Sequence, residues 1–95
     1  MTGRAFLGAI SSDDRWLVSR KFFAQELTLW DITTGKEVRG FKGMKGLPLS
    51  IQFSDDDQKI GVHSTEGETI IWDRETAKIL KQVKDSKVSL KNLLN

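Results

Sequence analysis

Few residues in this sequence have side chains suited to catalysis or metal binding. The sequence contains one histidine, His63, and no cysteine. Zinc sites combine several His, Cys or carboxylate ligands, so a single histidine without cysteine does not indicate one. His63 could act as a general base, but no serine or carboxylate is spaced to suggest a catalytic triad around it. We therefore predict no catalytic residue in this chain.

Three consecutive aspartates, Asp55 to Asp57, are the best candidates for a metal site, because Ca²⁺ binds carboxylate oxygens. A calcium-binding loop alternates its acidic ligands with other residues, and this run does not. A comparable pair, Asp13 and Asp14, follows an apolar stretch earlier in the chain. Aspartate is common in tight turns, where its side chain bonds nearby backbone N–H groups. We interpret both runs as turns and predict no metal ion.

The glycine-rich stretch GFKGMKG, residues 40–46, includes two lysines and invites comparison with a phosphate-binding loop. Its spacing matches neither G-x-G-x-x-G nor G-x-x-x-x-G-K-[ST]. No helical pattern follows that would place a helix N-terminus at a phosphate. We predict a flexible connection between strands and no cofactor.

Length and composition indicate a small soluble protein. The chain has 95 residues, of which 38% are hydrophobic and 29% charged, and its formal net charge is +2. The basic residues form no stripe, so nucleic-acid binding is not expected. The apolar patch from Ala5 to Ile10 is too short for a signal-peptide core or a membrane span. The sequence therefore predicts a cytoplasmic protein without membrane attachment.

The apolar pattern has a short period and predicts an all-β protein. Short runs rich in aliphatic and aromatic residues alternate with polar turns, and no segment before the tail has a helical period. The predicted strands are Ala5 to Ile10, Trp16 to Ser19, Leu27 to Ile32, Glu37 to Phe41, Leu49 to Phe53, Lys59 to His63, Thr69 to Trp72 and Lys78 to Val83.

This order of strands and turns occurs twice. TTGKEVRGFKG aligns with ETAKILKQVKD 42 positions later, which places Trp30-Asp31 on Trp72-Asp73. Upstream, ISSDDRWLVSRK aligns with FSDDDQKIGVHS at an offset of 43, so one extra residue lies within Phe22 to Glu26. A repeat of about 40–45 residues with four strands in each unit is typical of a β-propeller blade.

These segments resemble the WD-repeat β-propeller family. FSDDDQKIGVHSTEGETIIWD is similar to the family's repeat, and GMKGLPLSIQFSDDD supplies the segment that normally precedes it. The resemblance covers most of the chain and implies two divergent four-stranded antiparallel blades, residues 4–42 and 47–84, which are too few to close a ring. It also implies structural roles for Trp30, Asp31, Trp72 and Asp73.

The sequence departs from the family pattern at two places. The Gly-His pair that usually precedes a blade is replaced by Gly43-Met44 and by Asp85-Ser86. The Asp-Gly of the tight turn after the second strand is approximated by Glu66-Gly67 and is absent at Ala24-Gln25. We therefore expect these blades to depend on apolar packing rather than on the family's buried hydrogen-bond network.

Two blades leave two outer faces without a neighbouring blade. Each blade of a closed propeller packs on the next, so exposed apolar faces are expected here. The chain would then be a piece of a longer propeller, which we favour, or would assemble from several copies. Residues 85–95 are predicted to begin the first strand of a further blade, which we favour, or to form a short amphipathic cap.

Partner-binding residues are expected on the loops at one rim of the blades. Phe22 and Phe23 lie in the predicted turn between the second and third strands, where aromatic side chains can anchor a partner. Alternatively, these side chains fold inward over the blade edge. The connection between the blades adds Lys42, Met44 and Lys45 to the same rim. The resemblance implies that this rim and the mouth of the central channel are where partners usually dock.

The sequence predicts a non-enzymatic scaffold module for protein–protein interaction. Its partners would be other proteins, which bind variable loops on rigid blades. One alternative is the propeller portion of a multidomain regulatory protein or enzyme whose catalytic residues lie outside this chain. Another is a self-assembling mini-propeller. Further blades of the same chain, or self-association, would cover the open faces.

Overall fold

The computed structural model describes residues 8–20, 26–84 and 87–95. These residues form eight strands and one short helix. The elements are β1 (Gly8–Ile10), β2 (Trp16–Arg20), β3 (Leu27–Asp31), β4 (Lys36–Phe41), β5 (Pro48–Phe53), β6 (Lys59–Ser64), β7 (Glu68–Asp73), β8 (Ile79–Lys84) and α1 (Leu90–Leu94). Residues 5–7 of the first predicted strand lie outside the described residues.

The strands form two antiparallel sheets of four strands each, in the orders β1-β2-β3-β4 and β5-β6-β7-β8. Neither sheet closes into a barrel, which confirms the predicted fold class. We call the first sheet blade 1 and the second blade 2. The register between the third and fourth strands shifts at the same place in both, just before Trp30 and just before Trp72. The repeat seen in the sequence is therefore also a repeat of backbone geometry.

Each blade has two faces, because successive side chains of a strand point to opposite sides. We call one the tryptophan face: it carries the paired residues Leu17 and Trp30 in blade 1 and Ile60 and Trp72 in blade 2. The opposite one, the reverse face, carries Val18 paired with Leu29 in blade 1 and Gly61 paired with Ile71 in blade 2.

The main core lies between the reverse face of blade 1 and the tryptophan face of blade 2. Across this boundary the rings of Phe41 and Trp72 have centroids 5.5 Å apart. Aliphatic side chains from both sheets fill the rest of the space. The buried members are Val18, Leu27, Leu29, Phe41, Met44, Ile51, Ile60, Val62, Ile70 and Trp72. Alternation within the strands therefore places the apolar residues where the two sheets meet.

Polar contacts also join the blades. Both carboxylate oxygens of Asp57 accept hydrogen bonds from Ser12 of blade 1, from its N–H at 3.0 Å and its hydroxyl at 2.6 Å. Arg74 of blade 2 lies over the ring of Trp16, 4.6 Å from the centroid, and Arg39 donates to the carbonyl of Arg74. Every buried side-chain nitrogen and oxygen of the described residues has a hydrogen-bond partner.

The helix α1 packs on the reverse face of blade 2. Its buried residues Leu90 and Leu94 form a second apolar cluster with Ile71. The sequence favoured a strand over this segment, with an amphipathic cap as the alternative, and the structure has a helix. The side chain of Ser89 caps its N-terminus by accepting from the N–H of Asn92. The expectation that both outer faces are open is therefore not met on blade 2.

Among the described residues, no helix has the length and apolar character needed to cross a membrane.

Candidate functional site

The candidate site is the rim formed by the connection between the blades, residues 42–47, and the turn at residues 64–67; we call it the upper rim. These segments are joined by backbone and side-chain hydrogen bonds. The N–H of Leu47 donates to Thr65 Oγ1 at 3.0 Å, and the N–H of Thr65 donates to the carbonyl of Leu47 at 2.8 Å. The connection therefore has a defined position on blade 2.

The start of the connection is fixed by the core. Trp72 Nε1 donates to the carbonyl of Lys42 at 3.0 Å. Further along, the buried carboxylate of Glu68 lies 3.5 Å from the N–H of Lys45 and accepts from the side-chain amide of Gln82 at 2.8 Å. The sequence predicted a flexible connection, but these bonds hold it against blade 2 at both ends.

The predicted partner-binding residues have different environments. Lys42 and Lys45 are exposed on the upper rim. Met44 is 4% exposed and belongs to the core between the blades, so its predicted place on the binding surface is wrong. The backbone turns at Gly43, whose φ is +105°. The side chain of the next residue, Met44, lies in the core, whereas those of Lys42 and Lys45 are exposed. Phe22 and Phe23 lie outside the described residues, so their role stays a prediction.

The sequence did not identify Leu47 as part of this rim. Its side chain is 40% exposed. The only indication in the sequence was that Leu47 is an apolar residue between Gly46 and Pro48, before the predicted strand that began at Leu49. This indication of an exposed position on the rim was weak. The upper rim therefore combines two exposed lysines and one exposed glutamate, Glu66, with one exposed aliphatic side chain.

The aspartate runs lie at the other rim, in the turns between first and second strands. The two turns are built alike. Ser11 Oγ donates to Asp13 Oδ1, and Ser54 Oγ donates to Asp56 Oδ1 at 2.6 Å. These carboxylates also accept from backbone N–H groups two residues later, at Arg15 and Gln58. This confirms the interpretation of both runs as turns.

The three aspartates of the second run do not converge on one point. Asp56 bonds within its own turn, whereas Asp57 reaches across to Ser12 of blade 1. Among the described residues no group of three His, Cys, Asp or Glu side chains is placed to hold a metal ion. His63 Nδ1 lies 3.3 Å from Thr69 Oγ1 on the neighbouring strand.

The residues expected to be structural all make local contacts. Trp72 is fully buried, whereas Trp30 is half-buried on the tryptophan face of blade 1 and donates to Ser19 Oγ at 3.0 Å. Asp31 accepts from the N–H and the hydroxyl of Thr33, and Asp73 accepts from the hydroxyl of Thr76. The two Trp-Asp pairs thus contribute a packed ring and a braced turn to each blade.

Hydrogen bonding makes these turns sensitive to acid. The Ser11 hydroxyl lowers the pKa of Asp13, the Thr33 hydroxyl lowers that of Asp31, and the Ser54 hydroxyl lowers that of Asp56. A carboxyl group whose pKa is lower in the folded state stabilises the fold above its unfolded pKa, and this contribution is lost as the pH falls through the folded pKa.

We therefore expect the melting temperature to fall as the pH is lowered below about 4. The Ser11→Ala/Ser54→Ala variant should be less stable at neutral pH and should show a weaker dependence of stability on pH in this range. The measurement is thermal unfolding by circular dichroism from about pH 6 to about pH 2. Equal pH dependence in the variant and the parent would contradict the assignment.

No family model matches this sequence, and neither does any curated protein. Among solved structures, the chain is similar to the hydrazine synthase of Kuenenia stuttgartiensis, with a TM-score of 0.74 over 84% of this chain at 17% identity. It is also similar to U3-55K, with a TM-score of 0.76 over 85% of this chain at 16% identity. The chain spans about a quarter of each, 23% and 24%. Such likeness concerns the fold alone, and together with the two four-stranded sheets it supports the fold of two consecutive β-propeller blades.

Proposed function

We propose that this chain is a non-enzymatic protein-interaction module of the WD-repeat type, which binds another protein through its upper rim. The observation that carries the proposal is the fixed connection at residues 42–47. Hydrogen bonds from Trp72 and Thr65 hold its backbone, while Lys42, Lys45 and Leu47 remain accessible to solvent. A surface held in one conformation loses little conformational freedom on binding, which favours affinity.

The chemistry of the upper rim suggests the kind of partner. Two exposed lysines and an exposed leucine on this rim, against the single exposed carboxylate of Glu66, suit a protein surface that offers carboxylates around an apolar residue. At the opposite rim, the carboxylates of Asp13, Asp56 and Asp57 are engaged in turns or in the contact between the blades. The absence of cysteine suits a reducing compartment, and we place the protein in the cytoplasm.

A second candidate is that these blades form part of a larger regulatory protein or enzyme. It is favoured by the observation that the chain spans about a quarter of the solved structures it resembles. In that case the catalytic residues belong to another part of the protein. The genomic sequence on either side separates the two candidates: further repeats alone favour the scaffold, and a catalytic domain favours the second.

The rim proposal predicts that reversing its charge abolishes binding. Lys42→Glu/Lys45→Glu should reduce partner recovery in affinity capture by about tenfold or more, because two attractive contacts become repulsive. Lys36→Glu/Lys78→Glu is the matched control. It makes the same change in net charge at exposed lysines of the opposite rim and should retain the partner.

Melting temperatures should be measured for all variants, so that loss of binding is separated from loss of fold. Equal recovery with both charge-reversed variants, or equal loss, would refute the upper rim as the binding surface. Phe22→Ser/Phe23→Ser in the same assay tests the remaining sequence prediction. It should lower partner recovery without lowering the melting temperature.

A further inference from the structure

The helix α1 occupies the position that a third blade would take beside blade 2. Val18 and Leu29 of the reverse face of blade 1 lie in the core that blade 2 completes. The repeat aligns these two residues with Gly61 and Ile71 of blade 2, which lie against the leucines of α1. The helix therefore covers the same part of blade 2 that blade 2 covers on blade 1.

A hydrogen bond at the end of α1 repeats one that joins the two blades. In the turn after β1, the N–H of Ser12 donates to Asp57 Oδ1 of blade 2 at 3.0 Å. The repeat aligns Ser12 with Asp55, whose N–H donates to Asn95 Oδ1 at 2.7 Å. Asn95 thus supplies the acceptor that an aspartate of the next blade would supply. Residues 90–95 therefore reproduce an apolar and a polar part of the contact between blades.

A second contact recurs at the same place with different chemistry. The ring of Trp16 in blade 1 holds the guanidinium group of Arg74 from blade 2, 4.6 Å from its centroid. The repeat aligns Trp16 with Lys59, and Lys59 Nζ donates to the carbonyl of Leu94 at 3.3 Å. Carbonyls at a helix C-terminus lack partners within the helix, so this donor helps to hold the end of α1.

Blade 2 differs from blade 1 where a further blade would bind. Gly61 stands in place of Val18 and leaves room for the leucines of α1. Asp55 stands in place of Ser12, whose hydroxyl donates to Asp57 Oδ2 at 2.6 Å. A carboxylate has no proton to donate at neutral pH, and it would repel the aspartate of an arriving blade. The reverse face of blade 2 is therefore adapted to α1 rather than to another sheet.

The tryptophan face of blade 1 retains residues of the kind that join blade 2 to blade 1. Asp14 aligns with Asp57, and the two have the same backbone conformation, with φ +61° and +60°. Asp14 is exposed, whereas Asp57 is buried against blade 1. Likewise, Ile10 is 56% exposed, and the aligned residue Phe53 packs against the core. This face therefore matches the surface that docks on a reverse face within the molecule.

A chain that exposed both of these faces would bind its own copies head to tail. The tryptophan face of one copy would pack on the reverse face of the next, as blade 2 packs on blade 1. Such contacts form a ring if the rotation closes and an open filament if it does not. Terminal caps with a polar outer side keep stacked repeats soluble, and α1 turns Lys91 and Asn92 to solvent.

We propose that α1 and Asn95 form an end cap that blocks head-to-tail self-association of this chain. Without the cap, the reverse face of blade 2 binds the tryptophan face of blade 1 in a second copy, and Asp14 of that copy takes the place of Asn95. The carboxylate of Asp55 opposes the same contact. These surfaces are separate from the upper rim, so the inference does not depend on the proposed function.

Sedimentation velocity on the full-length chain and its Leu90→Ser/Leu94→Ser/Asp55→Ser variant tests this proposal. The variant loses the apolar contacts of the cap, and it gains at position 55 the hydroxyl that Ser12 provides in blade 1. Its association constant should exceed that of the parent by about tenfold or more, because both obstacles to the contact are removed. Equal association constants in a folded variant would overturn the proposal.

Two controls separate head-to-tail assembly from aggregation. Ile10→Lys, at an exposed position of the tryptophan face, should return the variant to a monomer. Excess parent, which has an open tryptophan face and a covered reverse face, should end the growing oligomers and leave one-to-one pairs, whereas parent carrying Ile10→Lys should not. Oligomers that persist after Ile10→Lys, or that excess parent does not shorten, would contradict the proposal, because the contact would then not involve the tryptophan face.

Leu94→Ala is a milder variant for the case in which the triple variant does not fold. It weakens the cap without adding a polar group, and its circular dichroism spectrum should match that of the parent. Its association constant should exceed that of the parent, and adding Asp55→Ser should raise it further. A folded Leu94→Ala/Asp55→Ser variant that associates no more than the parent would rule out a capping role for α1.

Discussion

Replacing Trp72 by alanine should lower the free energy of unfolding by about 3–5 kcal/mol, whereas the same change at Trp30 should cost about 1–2 kcal/mol. The two tryptophans occupy equivalent positions of the repeat, so sequence alone gives no reason for the difference. The structure does. Trp72 is fully buried between the blades and contacts Phe41, whereas Trp30 is half-buried on an outer face.

The indole N–H groups add to this difference. Trp72 Nε1 donates to the carbonyl of Lys42 and so holds the start of the upper rim, whereas Trp30 Nε1 donates to Ser19 within its own blade. A domain of this size has a total stability of about 5–10 kcal/mol, so Trp72→Ala should leave a large unfolded fraction at 37 °C.

Urea unfolding followed by far-ultraviolet circular dichroism measures both changes without relying on tryptophan fluorescence. Trp72→Phe provides the control: it retains an aromatic ring in the core and loses the hydrogen bond to Lys42, and it should cost less than Trp72→Ala. If Trp30→Ala costs as much as Trp72→Ala, the tryptophan face of blade 1 is packed as tightly as the core, and the account of the interface is wrong.

The two blades differ in sequence where one face lies in the core between the blades and the equivalent face lies on the outside of the molecule. On the tryptophan face, Val62 and Ile70 of blade 2 lie in the core between the blades. The register places Ser19 and Thr28 at the equivalent positions of blade 1, on the outer side of the molecule. At these two positions the outer face thus carries smaller or more polar residues than the inner one.

The strands and the repeat could be predicted from the sequence because both depend on local patterns. Alternating apolar residues bounded by Asp- and Gly-rich turns marked the strands to within about two residues. The burial of Met44 could not be predicted, because it depends on how the connection folds across blade 2. Val88, Leu90, Leu93 and Leu94 are compatible with an alternating and with a helical period, so the favoured strand was not distinguished from a helix.

The position of α1 on blade 2 could not be predicted from the sequence either. Gly61 in the middle of β6 signals a close approach of another segment, but the glycine does not identify that segment. Only the folded chain shows that Leu90 and Leu94 occupy the space above it. Likewise, the exposure of Leu47 on the upper rim could be recognised only from the fold of the connection between the blades.

Gly46→Ala should lower the free energy of unfolding by about 2–4 kcal/mol, through backbone strain and crowding together. Gly46 has φ +75°, a conformation that L-residues adopt at a cost. A Cβ atom at this position would collide with Thr65 Oγ1 and would lie 2.8 Å from Glu66 Cγ and 3.2 Å from the backbone nitrogen of Glu66. The connection and the turn at residues 64–67 would have to move apart.

A double-mutant cycle with Thr65→Ala separates the two causes. Thr65→Ala alone should cost about 1 kcal/mol, because the N–H of Leu47 loses its acceptor. In that background Gly46→Ala should cost less, about 1–2 kcal/mol, since the strain and the contacts with Glu66 remain but the contact with the hydroxyl is gone. Urea unfolding of the four proteins measures the coupling. If Gly46→Ala costs the same with and without Thr65, the connection does not pack against the Thr65 hydroxyl as the structure places it, and only Trp72 and Glu68 would hold the backbone that presents Lys42, Lys45 and Leu47.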